Sequence, residues 1–116
     1  METKPAPWQQ RFDLTTCPAS KITTAIHPTA QGVAVFYTAT EAGEKIILVL
    51  ESRAGSLRGQ CEKRLQSGKL PPIEELTVSF KCELLSDTSP EAVNAACREQ
   101  VIFAGELRRE LRPAMR

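Results

Sequence analysis

The sequence predicts an α+β fold: a two-layer sandwich in which a mostly antiparallel sheet of four to five strands carries two helices on one face, the second a long C-terminal helix. Three observations carry this. Leu76, Val78, Phe80, Cys82 and Leu84 alternate with Glu75, Thr77, Ser79, Lys81 and Glu83, the period of a strand with one core face and one wet face. Leu57, Cys61 and Leu65 recur every fourth residue, which sets a narrow apolar stripe along a helix. Two β-prone runs, Gly32 to Thr40 and Lys45 to Glu51, are joined by Glu41-Ala42-Gly43-Glu44, and a short glycine-containing link between such runs reads as a hairpin.

The elements follow in order. Residues 1–9 contain Pro5 and Pro7 and read as a flexible arm ending at Trp8; residues 10–116 form the single domain. From Arg11, the alternation of Phe12, Leu14 and Thr16 predicts a strand that ends at Cys17-Pro18, with Cys17 more exposed than the other three cysteines. Ile22, Thr24 and Ile26 alternate over a minor strand before the turn residues His27 and Pro28. Ile46 to Leu50 is apolar on both faces, which predicts a central place in the sheet. Ser56 is the expected N-cap of the first helix and Gly68 its stop, with Pro71 and Pro72 forbidding continuation.

The last helix runs from Pro90 to about Arg112. Asp87 or Ser89 caps it, Pro90 takes the first helical position, and Glu91 complements the helix dipole in the first turn. At 100° per residue Val93, Cys97, Ala104, Leu107 and Leu111 share the inner face, with Ala96 and Val101 at its edges. Ile102 points the opposite way and Phe103 lies at the border.

Composition narrows the function classes. A chain of 116 residues and 12.8 kDa is one domain. Val, Ile, Leu and Phe number 6, 6, 11 and 4, about 23% together, above the level of roughly 20% below which disorder is expected. Fifteen basic residues against fourteen acidic leave a net charge of +1, without the positive excess that nucleic-acid or anionic-membrane binding needs. Arg53, Arg58, Lys63, Arg64 and Lys69 make the first helix region basic, but no aromatic residue is interleaved there. The longest apolar run is Ile46 to Leu50, far short of the roughly 18 residues a spanning helix needs. Met1 to Gln9 has no apolar core of the signal-peptide kind, so a cytoplasmic protein is expected; a periplasmic or secreted one whose signal has been removed is the alternative.

Cys17, Cys61, Cys82 and Cys97 are widely spaced, with no C-x-x-C and one His in the chain, so neither a zinc finger nor a thioredoxin-like site is indicated. Cys61, Cys82 and Cys97 all fall on predicted inner faces. They are expected as buried thiols, with a Cys61–Cys97 or Cys82–Cys97 disulfide as the alternative. Catalytic chemistry is not supported: the cysteines lack an activating partner, Glu74/Glu75 and Glu41/Glu44 read as solvated edges, and no phosphate-binding, nucleophile-elbow or metalloprotease motif occurs. No catalytic residue, cofactor or metal is assigned.

The expected function is therefore binding. A small interaction or adaptor domain would engage a protein partner, or itself, through the C-terminal helix or a sheet edge, with Trp8, Ile102 and Phe103 as the candidate partner face. One alternative is a small-molecule or enzymatic domain whose pocket lies between sheet and helices, lined by Phe36, Tyr37, Phe80 and Phe103. Another is an extracytoplasmic disulfide-bonded inhibitor or secretion accessory protein.

Overall fold

The computed structural model describes residues 7–52 and 56–115. In chain order these form α1 (Pro7–Arg11), β1 (Thr15–Pro18), a 3-10 turn (Ala19–Lys21), α2 (Ile22–Ala25), β2 (Gln31–Thr40), β3 (Gly43–Glu51), α3 (Leu57–Gln66), a second 3-10 turn (Ile73–Glu75), β4 (Leu76–Glu83) and α4 (Pro90–Leu111). The four strands make one sheet in the order β1-β4-β2-β3, every neighbouring pair antiparallel. The α+β class, the antiparallel sheet and the long last helix are as the sequence predicts.

Local chemistry sets the boundaries. The Ser56 hydroxyl accepts from the Gly59 amide at the start of α3, and Ser89 does the same for Ala92 at the start of α4, where Pro90 occupies the first turn. Each bond satisfies an amide that the helix itself leaves open. The β2–β3 hairpin closes through Glu41 and Ala42, with Gly43 at φ 124°, a conformation that side-chain-bearing residues rarely adopt. Gly32 serves a different need. A Cβ there would fall 1.9 Å from the Lys81 carbonyl oxygen, so only glycine lets β2 and β4 approach at that register.

The helices do not share one face, which corrects the two-layer arrangement. Alternation along β2 sends Ala34 and Phe36 to one side, where they pack with Leu48, Val78, Phe80, Ile22, Ile26, Leu57 and Cys61. It sends Val33 and Val35 to the other side, where they meet Val49, Ala104 and Leu107, with Trp8, Phe12 and Phe103 against them. The sheet is thus sandwiched, α2 and α3 on one side and α1 and α4 on the other. Two-sided burial of β2 is what a central strand between two helical layers requires.

Four further expectations are revised. Residues 7–9 belong to α1 and not to an arm: Trp8 is half-buried and Gln9 is buried; residues 1–6 lie outside the described residues. Ile22 to Ile26 is a helical turn, because Ile22 and Ile26, one turn apart, are both buried while Thr24 is exposed. Run Ile46 to Leu50 sits on an edge strand, not in the middle. It is covered on both faces by the two helical layers, and the Ala114 and Met115 amides donate to its Ile46 and Ile47 carbonyls. Finally, the polar side of β4 is not simply wet: Ser79 is fully buried.

Candidate functional site

Helix α4 is anchored on its inner side by alternating apolar and polar contacts. Ala96, Gln100, Ala104 and Leu107 are buried, and Phe103 and Leu111 pack beside them, a ladder with the i, i+4, i+7 spacing of a packed helix. Between the apolar rungs run two polar links to the sheet. The Ser52 hydroxyl donates to Gln100 Oε1 at 2.6 Å and accepts from the Gly32 amide at 3.0 Å. Immediately after Leu107, Arg108 Nη2 donates to Glu51 Oε2 at 2.7 Å and to the Val49 carbonyl at 2.9 Å. The Arg108 pair satisfies a carboxylate almost wholly withdrawn from water, which otherwise carries a large desolvation cost. It also occupies an outward carbonyl of the β3 edge.

The same layer continues through α1. Gln9 Nε2 donates to Tyr37 Oη at 2.7 Å and to Ser79 Oγ at 2.9 Å, and Thr16 Oγ1 meets Ser79 Oγ at 2.8 Å. Trp8 stands edge-on to Tyr37, with ring centroids 5.4 Å apart, and Phe12 stands edge-on to Phe103 at 5.8 Å. Such pairs stabilise by roughly 0.5–1.5 kcal/mol beyond area burial. Arg11 adds an exposed ion pair to Glu110 at 3.0 Å.

Trp8, Ile102 and Phe103 therefore do not form one face. Trp8 and Phe103 belong to the layer inside α4, and Phe103 extends the ladder of Ala96 and Gln100. Ile102 alone points outward, 63% exposed, and its neighbour Val101 is 52% exposed. They border a shallow hollow along the helix with Asn94, Cys97 and Arg98. Sequence periodicity missed Val101, because a phase centred on Val93 and Cys97 places it at the inner margin. The buried Gln100, polar and thus discounted, marks the true inner face.

The cysteines are rearranged in the same way. All four are present as thiols. Cys61 is buried on the α3 side, with Cys82 and Cys17 against the same core; Cys97 is half-buried on α4, across the sheet. The sheet thus separates Cys97 from both partners expected for a disulfide, and Cys17 takes the place in the thiol cluster. Burial pushes the Cys61 thiol up to about 12, with the neighbouring Cys17, Glu62 and Cys82 adding to the effect. Cys17 and Cys82 are raised by burial as well. Raised thiols are poor nucleophiles. Among the described residues no group of His, Cys, Asp and Glu has the arrangement to hold a metal ion, and no helix is long and apolar enough to cross a membrane.

Of the aromatic residues expected to line a pocket, Phe36 and Phe80 are closed within the α3-side core, and Tyr37 is covered by Trp8 and Gln9. Phe103 does line a cleft of about 370 Å³ between α4 and the ends of β2 and β4, together with Gln31, Lys81, Glu99 and Gln100. His27 is exposed in the turn before Ala30, its Nδ1 accepting from the Thr29 amide. Glu41, Glu44, Glu74 and Glu75 are exposed.

Comparison with known proteins assigns nothing: no family model matches the chain, and no curated protein and no solved structure is significantly similar to it.

Proposed function

We propose that this chain is a small protein-interaction domain whose docking face is the outward side of α4. The observation that carries this reading is the exposure of Val101 and Ile102, side by side in the middle of a 22-residue helix whose opposite side is buried at Ala96, Gln100, Ala104 and Leu107. Single exposed apolar residues are ordinary on a protein surface. Two adjacent ones bordering a hollow on a rigidly held helix provide the apolar centre that interfaces use. The choice of helix over the β3 edge is supported by the Ile46, Ile47 and Val49 carbonyls, which already accept from Ala114, Met115 and Arg108. Strand addition needs those groups open.

The test is site-specific photo-cross-linking in the native host. A photoreactive residue at position 102 is expected to give a discrete protein adduct, and one at the exposed Thr23 across the molecule is expected to give none. Equal patterns from both positions, or no adduct from position 102, contradict the reading.

A second reading rests on the cleft beside Phe103. Its aromatic wall, the Gln31 and Gln100 amides and the Lys81 and Glu99 charges are the mixture of apolar surface and a few polar groups that small-molecule sites present. Shifts of amide resonances confined to Gln31, Lys81 and Phe103 in a metabolite screen would favour it.

A further inference from the structure

Resting on the reading of α4 as the docking face, we propose that its occupant is a second copy of this chain, the two α4 helices packing antiparallel about a two-fold axis set between Val101 and Ile102. Three features of the outward side make it complementary to itself. The first is the apolar centre. A two-fold axis at that point gathers Val101 and Ile102 of both protomers into one apolar cluster, and burial of these exposed side chains drives association.

The second is the distribution of charge. At 100° per residue Glu91, Arg98 and Arg109 lie on the same outward side as Ile102, and Arg112 follows at the C-cap. Glu91 lies as far before the axis as Arg112 lies after it, about 16 Å at 1.5 Å per residue, and Arg109 stands one turn nearer. Antiparallel pairing therefore brings each Glu91 level with the partner's Arg112 and within one turn of the partner's Arg109, twice by symmetry. Parallel pairing would set like charges together. Elsewhere on the helix Arg108 and Glu110 are engaged by Glu51 and Arg11, whereas Glu91, Arg109 and Arg112 have no ion-pair partner among the described residues.

The third is Gly105. A Cβ at this position would meet nothing within 4 Å, so packing within the protomer does not require glycine, and glycine weakens a helix interior relative to alanine. The axis sets Gly105 opposite the partner's Arg98, whose long side chain can lie across the backbone that glycine leaves bare. An unrelated partner would need no such internal symmetry in the face it binds.

A single pair of helices is a small interface, so the dimer is expected to be weak, with Kd on the order of 1–100 μM. Sedimentation of the full chain over that range tests it. Wild type is expected to show a monomer–dimer equilibrium that weakens severalfold at high salt. Glu91→Arg and the double variant Arg109→Glu/Arg112→Glu are each expected to self-associate at least about tenfold more weakly, since like charges then meet at both ends. An equimolar mixture of these two variants restores attraction at both ends and is expected to recover dimer near the wild-type affinity. All three positions are exposed surface charges, and circular dichroism confirms that the variants remain folded. A wild type that stays monomeric throughout, or a mixture no more associated than its components, overturns the proposal. A cross-link from position 102 to a different protein, with strictly monomeric sedimentation, overturns the second-copy assignment and leaves the docking face standing. Monomeric sedimentation with no cross-link overturns both.

Discussion

On the α2/α3 side of the sheet, Phe36, Leu48, Val78, Phe80, Ile22, Ile26 and Leu57 close a core built from apolar atoms; the α1/α4 side reaches comparable burial with a mixed set. There Val33, Val35, Val49, Ala104 and Leu107 share the layer with Gln9, Ser79, Ser52, Gln100, Glu51 and Arg108, each joined to another by hydrogen bonds. Apolar packing is non-directional and stabilises by area. Hydrogen-bonded links stabilise less on balance but fix register and rotation. The difference explains how one side holds the fold while the other holds α4 in a single rotational setting, so that Val101 and Ile102 stay turned to solvent.

Substitutions on the two sides are expected to differ in size. The largest effect is expected in the apolar layer: Phe36→Ala leaves a cavity between sheet and α3 and should cost about 3–5 kcal/mol, read by chemical denaturation. In the mixed layer, Arg108→Ala withdraws the guanidinium facing the Glu51 carboxylate and should cost about 2 kcal/mol, less than a fully buried pair because Arg108 is part exposed. Its distinguishing sign is rescue, since Glu51→Gln in the same background removes the charge and should recover part of the loss.

Alkaline pH separates the layers again. The Cys61 thiol ionises at about 12 in the folded chain against an ordinary 9.0, so between those values the unfolded chain releases a proton that the folded one keeps. Stability therefore falls as pH rises through this window, with a slope of up to about 1.4 kcal/mol per pH unit from this group. Cys61→Ala should show a shallower decline than wild type in unfolding curves measured from pH 9 upward. The smallest expected effect lies on the outward side of α4. Gly105→Ala should raise the stability of the protomer by about 0.5–1 kcal/mol, visible as a higher Tm in dilute solution.

The apolar layer was readable in the sequence because its chemistry is periodic. The alternation of β4, the stripe of α3 with its Ser56 cap, the β2–β3 hairpin and the Ser89-Pro90 start of α4 all carry their own local signals. The mixed layer was not readable. Gln9, Gln100, Ser52 and Glu51 are buried only because each finds a partner distant in sequence, and a pattern of apolar residues assigns such side chains to solvent. That is why apolar periodicity shifts the phase of α4 toward Cys97, reads Trp8 as part of an arm and sets both helices on one face. Ile102 could be identified because it departs from any inner phase of the helix; Val101 beside it could not.

On the proposed reading Ile102 belongs to an intermolecular surface and not to the fold. Ile102→Glu separates the two roles when measured twice, once for unfolding free energy in dilute solution and once for self-association by sedimentation. A stability within about 0.5 kcal/mol of wild type is expected, as for an exposed position, together with loss of the dimer. A marked fall in stability with association unchanged would contradict it.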